Sequence, residues 1–339
     1  MTILVTGATS GLGRNAVDFL RARGEPLRAT GRNALALREL CEGAGDVQAA
    51  ELSTLDEAQA RMLLAGVDTV WHCAALSSPW GRAEDFVAAN VTATTRLARF
   101  AVAQGVKRFV HISTPSLYFD FRHRLEVPES GLADRPCNDY VRTKLAAEQV
   151  IRRLAAEHPQ TRFVILRPKA LFGPHDRVLL PRILQLLKAR HGTLPLPRGG
   201  EAKLDLTYAP NAVHAMWLAT QARGLESAAT FNITNQQPTS LRAVLAQLLG
   251  AELGIAYGIR SVAYPLLDLA ARGMQAVSAM TGKEPMLTRY SAGALHYDMT
   301  LANAAAKRDL HYTPIHDMAG SIRLTAEWLK KTHGPHHVV

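Results

Sequence analysis

The chain has 339 residues, of which 47% are apolar, and its 39 basic and 29 acidic side chains give a formal net charge of +10. These values exclude disordered and fibrous proteins and fit one large globular domain or two intertwined ones. Because the basic residues are scattered rather than gathered in runs, we expect no nucleic-acid partner; anionic small molecules or membrane surfaces fit the charge better.

The N-terminal sequence and the cysteines indicate where in the cell the protein is expected to be. The chain enters an apolar run at once, without the basic and apolar segments of an export signal, and no stretch contains about 18 uninterrupted apolar residues. We therefore expect a cytoplasmic protein. Cys41, Cys73 and Cys137 are odd in number and form no CxxC pair, so we expect neither a disulfide framework nor a metal site.

A glycine-rich stretch, TGATSGLGR at residues 6–14, follows a strand-like run and precedes a helix-like stretch at residues 15–23. Glycines allow the backbone to turn tightly beside a phosphate, and the start of a helix offers free N–H groups. The pattern predicts a site for a dinucleotide pyrophosphate, although such turns also serve only as connectors. The candidate cofactor-binding residues in this loop are Gly7, Thr9, Ser10, Gly11, Leu12 and Gly13.

The second predicted strand, residues 26–30, is followed by Arg32 and Asn33. NAD-binding folds place an acidic residue at this strand tip, whereas a guanidinium there pairs with the 2′-phosphate of NADP. Arg32 therefore favours NADP over NAD, with Arg28 or Arg14 as helpers; the alternative is a surface arginine in a turn.

Further strands are predicted at residues 47–52, 67–72 and 108–113, with helices between them. This alternation predicts an α/β fold with a doubly wound parallel sheet, whose ligands bind at the carboxyl ends of the strands. We interpret His72 as a buried, hydrogen-bonded histidine without a chemical role. The residues expected to contact the cofactor at these strand ends are Glu51, Leu52, Ala74, Ala75 and Ser113, and Thr114 follows them.

Tyr140 and Lys144 lie one turn apart on the same face of a helix predicted to run to about Glu157. An ammonium beside a phenol favours the phenolate and would bring its pKa towards neutral pH, as general acid–base catalysis requires. The alternative is an ordinary surface pair. The catalytic interpretation is favoured because Thr114, at a strand end, can bond the same substrate oxygen.

The assembled motifs resemble the short-chain dehydrogenase/reductase superfamily over nearly the full chain, in particular its extended, 3β-hydroxysteroid-dehydrogenase-like and epimerase-like branch. They are TGATSGLG at 6–13, VDTVWHCAA at 67–75, NVTATT at 90–95, FVHIST at 109–114, YVRTK at 140–144, LRPKALFGPHD at 166–176, LTYAPNAVHA at 206–215 and FNITN at 231–235. The resemblance extends to bacterial reductases of that branch and carries no particular substrate.

The resemblance implies roles for individual residues. Tyr140 is the expected catalytic acid, Lys144 holds the nicotinamide ribose and lowers the pKa of the tyrosine, and Thr114 replaces the usual serine. Asn90 matches an asparagine near the active site, and Pro168 matches the strand that backs the nicotinamide. A homodimer is also implied. The first loop departs from the branch, because its spacing is TGxxxGxG rather than TGxxGxxG.

We expect a Rossmann domain of residues 1–172, to which the chain returns at about 204–235, and a smaller, mostly helical substrate-binding cap. The cap would comprise residues 173–203 and 236–330, followed by a flexible tail at 331–339. Residues 264–280 predict an amphipathic helix, for which packing on the cap core is favoured over a membrane-facing surface.

These features predict an NADP-dependent oxidoreductase that interconverts a ketone and a secondary alcohol on a bulky hydrophobic small molecule, sterol-like or 3-oxoacyl-like. A nucleotide-sugar epimerase or dehydratase is the first alternative, because Arg177, Arg182 and Arg198 could bind a diphosphate. A non-catalytic NADP(H)-binding redox sensor is the second, and the presence of Tyr140 and Lys144 weighs against it.

Overall fold

The strands and helices are those of a computed structural model, which describes residues 1–9, 11–40 and 46–333. The strands of these residues are β1 (Ile3–Thr6), β2 (Leu27–Gly31), β3 (Asp46–Ala49), β4 (Thr69–His72), β5 (Arg108–Ile112), β6 (Arg124–Val127), β7 (Arg162–Pro168), β8 (Leu171–Phe172), β9 (Thr193–Pro197), β10 (Lys203–Leu204), β11 (Thr207–Tyr208), β12 (Ala229–Ile233), β13 (Thr239–Ser240), β14 (Gly258–Val262) and β15 (Met299–Leu301).

The α-helices are α1 (Gly11–Ala22), α2 (Ala34–Leu40), α3 (Glu57–Leu64), α4 (Ala83–Phe86), α5 (Ala93–Ala103), α6 (Asp139–Glu157), α7 (Leu179–Ala189), α8 (Ala209–Gln221), α9 (Leu241–Leu245), α10 (Tyr264–Thr281), α11 (Arg289–His296), α12 (Ala304–Leu310) and α13 (Met318–His333). A π-helical turn at Val87–Thr92 joins α4 to α5, and a second at Ala246–Glu252 follows α9.

The central sheet has seven strands in the order β12-β7-β5-β4-β1-β2-β3, and every neighbouring pair is parallel. The predicted doubly wound parallel sheet is therefore confirmed. Because the order reverses between β1 and β4, the crevice for a ligand lies at the carboxyl ends of these two strands.

Both faces of the sheet are covered by helices. Phe109 and Phe163 pack in the cluster formed with α3, α5 and α6, while their neighbours Val110 and Val164 pack in the cluster formed with α1 and α8. Successive strand residues point to opposite faces, so an apolar run of this kind fits a strand that is buried on both sides.

The chain returns to the sheet at β12, which pairs with β7 along its whole length. Residues 173–203 and much of the segment after 236 form smaller sheets and helices above the carboxyl edge. Ala306 and Tyr312 pack in the main core rather than in that layer. Helix α13 includes residues 331–333 of the predicted tail, and residues 334–339, like Ser10 and Cys41, lie outside the described residues.

Helix α10 exposes the apolar stripe that was expected to pack on the cap core. Leu266, Leu269, Val277 and Met280 are 62%, 67%, 59% and 88% exposed. The expectation is wrong for these side chains because the helix buries its small residues instead, among them Ala271. No helix in the described part of the chain is long and apolar enough to cross a membrane.

A buried ion pair joins α6 to β7. Arg167 and Glu148 are each 1% exposed. The guanidinium donates two parallel hydrogen bonds to the carboxylate, at 2.8 Å to Oε1 and 2.5 Å to Oε2. It also donates to the hydroxyl of Tyr118 at 2.6 Å and to the carbonyl of Glu129 at 2.8 Å. The helix that carries Tyr140 and Lys144 is thereby fixed against the sheet.

We predict that Glu148→Gln lowers the free energy of unfolding by about 3–5 kcal/mol, because it leaves the guanidinium of Arg167 buried without a counter-charge. Denaturant titration followed by circular dichroism measures the change. Glu57→Gln is the matched control, since the Glu57–Arg61 pair is exposed on a helix surface and is worth only about 0.5 kcal/mol. Equal losses in the two variants would contradict the prediction.

Candidate active site

The turn from β1 into α1 leaves no room for a side chain at Gly7 or Gly13. A Cβ atom on Gly13 would lie 2.2 Å from the carbonyl oxygen of Gly7, and one on Gly7 would lie 3.0 Å from the backbone of Ala74. Gly7 and Gly11 have φ angles of 64° and 50°. The backbone therefore turns tightly into the start of α1, and this cradle fits the pyrophosphate of a dinucleotide.

Arg32 stands at the tip of β2 with an exposed side chain and has no hydrogen bond or ion pair to the described residues. Its neighbour Asn33 caps α2, because its side-chain oxygen accepts from the N–H of Ala36 at 3.0 Å. Arg28 is not available as a helper. Its guanidinium pairs with Asp46 at 2.5 Å and donates to backbone carbonyls at the end of α3.

Tyr140, Lys144 and Thr114 line one cavity of about 590 Å³ at the carboxyl edge of the sheet. Helix α6 begins at Asp139, because the side-chain oxygen of Asn138 accepts from the N–H of Val141 at 2.9 Å. The other predicted site residues that line this cavity are Gly11, Leu12, Ala75, Ser113 and Pro168. Those that do not are Gly7, Thr9, Gly13, Arg32, Asn33, Glu51, Leu52, Ala74 and Asn90.

The residues outside the cavity are held in other ways. The carboxylate of Glu51 accepts from the N–H and hydroxyl of Ser53, and Leu52 is buried. The N–H of Ala74 donates to the hydroxyl of Thr6 at 3.0 Å. Ser113 differs from these residues, because its hydroxyl is buried, lines the cavity and has no partner among the described residues. A bound ligand could supply that partner.

Burial sets the protonation of the catalytic pair. It raises the pKa of the Tyr140 phenol, and hydrogen bonding with Thr114 and Ser77 only partly offsets this effect. Burial also lowers the pKa of Lys144 to about 8. The ammonium of Lys144 donates to the carbonyl of Ile112 at 2.6 Å. The expected lowering of the Tyr140 pKa by Lys144 is therefore not observed, because desolvation of the phenol dominates.

His72 is buried, as expected from the sequence. Its two ring nitrogens lie 2.9 Å from the hydroxyls of Thr6 and Thr94, and burial lowers its pKa to about 3. The imidazole is thus neutral and fully bonded, and it braces the ends of two strands rather than taking part in chemistry.

Asn90 lies in the π-helical turn between α4 and α5. Its side-chain oxygen accepts from the N–H of Leu76 at 2.8 Å, and its amide donates to the hydroxyl of Thr143 at 3.1 Å. Asn90 therefore connects the segment that carries Ser77 to helix α6. In this arrangement it positions groups of the site rather than lining the cavity.

The sequence analysis did not identify Ser116 and Tyr290. The hydroxyls of Thr114 and Ser116 are 3.0 Å apart, and those of Ser116 and Tyr290 are 2.6 Å apart. Tyr290 is in α11, which packs over the cavity, and 174 residues separate it from Ser116. The presence of a tyrosine in a helix far along the chain gave no signal of this contact.

The cavity also contains three further cationic side chains, Lys169, Arg177 and Arg182. Arg182 pairs with Glu284 at 2.6 Å, and Arg177 donates to the carbonyl of Thr9 at 3.1 Å. Arg198, the third arginine considered from the sequence, does not line the cavity and pairs with Asp298 at 2.8 Å.

Known proteins share this sequence pattern. Residues 3–234 match the NAD dependent epimerase/dehydratase family. A protein of Escherichia coli (strain K12), "Uncharacterized protein YbjS", is 48% identical over 337 residues, which cover 98% of this chain and 99% of that protein. The 2-alkyl-3-oxoalkanoate reductase of Stenotrophomonas maltophilia (strain K279a) is 33% identical over 338 residues, which cover 93% of this chain and 95% of that protein.

Solved structures share the fold. The UDP-glucuronic acid 4-epimerase of Bacillus cereus, solved with NAD, is similar with a TM-score of 0.77 and 18% identity, covering 98% of this chain and 97% of that one. At this identity the likeness concerns the fold alone.

Proposed function

We propose, since the chain belongs to the NAD-dependent epimerase/dehydratase family, that it reduces the ketone of a bulky apolar small molecule to a secondary alcohol with NADPH. The chain is an NAD(P)-dependent oxidoreductase of the short-chain dehydrogenase/reductase type. The choice of NADPH and of an apolar ketone is the proposal.

The composition of the cavity carries this proposal. Tyr140 and Thr114 line it, and most of its wall is apolar. Such a wall removes an apolar substrate from water at a gain of roughly 25 cal/mol per Å². The apolar side chains of the wall beyond the catalytic residues are Pro79, Phe172, Val178, Leu179, Leu204, Leu206, Leu241 and Leu295.

The protonation of the site suits reduction. NADPH supplies a hydride when it is bound. The raised pKa of Tyr140 keeps its phenol protonated at neutral pH, so the phenol can donate a proton to the oxygen of a ketone. Lys144 remains mostly protonated below a pKa of about 8, and its ammonium is held at the cavity by the carbonyl of Ile112.

Hydrogen bonds connect the hydroxyls of Tyr290, Ser116 and Thr114 and fix the position of Thr114 in the site. The N–H of Ser116 already donates to the hydroxyl oxygen of Thr114 at 3.2 Å. The hydroxyl of Thr114 donates to that of Ser116 at 3.0 Å, and the hydroxyls of Ser116 and Tyr290 are 2.6 Å apart. The Thr114 hydroxyl is thereby held in one orientation at the cavity. Hydrogen bonds in such a chain polarise one another, so Tyr290 and Ser116 act as positioning residues.

Two alternatives are less well supported. A nucleotide-sugar epimerase requires cationic groups for a diphosphate, and the solved epimerase with the same fold keeps this alternative open. In this protein Arg182 and Arg198 are already paired with carboxylates. A redox sensor has no need of the buried Tyr140–Lys144 arrangement.

The test is NADPH oxidation by the purified protein with a panel of apolar ketones and, in parallel, chromatographic analysis of UDP-sugars incubated with the protein, because an epimerase or dehydratase causes no net oxidation of its cofactor. We expect turnover of apolar ketones and a loss of about 100-fold or more in kcat for Tyr140→Phe, which removes the proton donor. Turnover of UDP-sugars alone would favour the epimerase. No turnover, with Tyr140→Phe behaving like the parent protein, would favour the sensor.

The cofactor preference depends on Arg32. We predict that Arg32→Glu raises the KM for NADPH roughly 10- to 100-fold, because a charge-assisted contact with the 2′-phosphate is replaced by repulsion. The KM for NADH should change little. Arg38→Glu, at an exposed position in α2, is the control and should leave both values unchanged. Equal changes in the KM for NADPH and for NADH would contradict the assignment of Arg32 to the 2′-phosphate.

The positioning chain is tested with Tyr290→Phe and Ser116→Ala. We predict that each lowers kcat about 10-fold and leaves the KM for NADPH unchanged. The double variant should be no worse than the poorer single one, because both act through Thr114. Ser116→Thr should restore activity. Multiplicative losses, or losses that follow the melting temperature, would show that the two residues only stabilise the fold.

A further inference from the structure

Lys169 follows Pro168, which ends β7, and its main chain is held on both sides. Its N–H donates to the carbonyl of Ile233 at 3.1 Å, and its carbonyl accepts from the hydroxyl of Thr207 at 2.6 Å. The backbone of this residue therefore has a fixed position at the edge of the catalytic cavity, which the side chain lines.

The ammonium of Lys169 has no comparable partner. Of the four cationic side chains that line the cavity, Lys144, Arg177 and Arg182 each have a hydrogen bond or ion pair. The ammonium of Lys169 has neither with any residue in the described part of the chain. Desolvation lowers its pKa to about 8, so it is mostly charged at neutral pH.

Asp205 is the carboxyl group that influences the pKa of Lys169, but the two side chains form no ion pair. Asp205 is 1% exposed and accepts from the N–H of Leu301 at 2.8 Å. No ion pair joins it to Lys169, although each affects the pKa of the other. Burial raises the pKa of Asp205 to about 6. Asp205 lines the same cavity and attracts the ammonium of Lys169, but in the described part of the chain it does not meet the hydrogen-bond donors of Lys169 directly.

The residues around the Lys169 ammonium indicate which anionic group of a ligand it would bind. Leu204, Asp205 and Leu206 all line the cavity with Lys169, so its surroundings there combine two apolar side chains with one carboxyl group. A charge in an apolar environment is costly unless an opposite charge or hydrogen bonds meet it. A single ammonium matches a single carboxylate, whereas a diphosphate needs several donors. A ligand with an apolar chain next to a carboxylate fits this region, because the chain can contact Leu204 and Leu206 while the carboxylate binds Lys169.

We propose that Lys169 binds the carboxylate of the substrate, so that the substrate class is an apolar oxo acid rather than a neutral ketone, ester or thioester. This inference rests on the proposed function, because it places the reacting ketone at Tyr140 in the same cavity. It makes Lys169 a specificity-determining residue that takes no part in proton transfer.

The test compares freshly prepared 3-oxododecanoate with its methyl ester, in the parent protein and in Lys169→Met. We expect kcat/KM for the free acid to fall roughly 10- to 100-fold in the variant, which is the loss of one charge-assisted hydrogen bond, and that for the ester to change less than about 3-fold. Lys169→Arg should retain the preference for the acid. Lys203→Met, at an exposed position outside the cavity lining, is the matched control.

A binding measurement separates this inference from the reaction. Calorimetric titration with decanoate and decanol, in the presence of NADPH, should show weaker binding of decanoate alone in Lys169→Met, and this result would support the site even if no ketone were reduced. Equal losses for acid and ester in Lys169→Met, an unchanged preference for the acid, or a preference of the parent protein for the methyl ester would each overturn the proposal. If the protein reduces ketones but gives one of these results, the proposal for Lys169 is wrong and the proposed function is still supported.

Discussion

The buried pair of Arg167 and Glu148 is the constraint on which the geometry of the site depends. Glu148 lies one turn beyond Lys144 on the face of α6 that also carries Tyr140. Arg167 is in β7, directly before Pro168. One bidentate contact therefore sets the distance between the catalytic helix and the strand that leads into the cavity. Such a pair adds little net stability, because desolvation opposes it, but it specifies one relative position.

Much of the fold followed from the sequence. Strands and helices alternate with clear periodicity, and the glycine loop and the Tyr140–Lys144 spacing are local patterns. The chain was also expected to return to the sheet at about 204–235, and β12 lies within that range. Local propensity and periodicity determine such features, so no knowledge of long-range contacts is needed.

The remaining features depend on partners far apart in the chain. Whether Arg182 is free or paired depends on Glu284, and whether Tyr290 is a packing residue or part of a hydroxyl chain depends on Ser116. The pKa of Tyr140 depends on how completely the cap excludes water. The stripe on α10 shows the same limit, since an amphipathic pattern does not say whether its apolar face meets protein or solvent.

The position of β12 affects how the chain can fold during synthesis. Strand β7 lies between β5 and β12, although 60 residues, which include helix α8 and part of the layer above the sheet, are made between β7 and β12. Until residue 233 has emerged, β7 has an unpaired edge that can recruit strands of other chains. The catalytic half of the protein is thus not an independent module, and its substrate preference is more readily altered by point substitutions than by exchange of a cap.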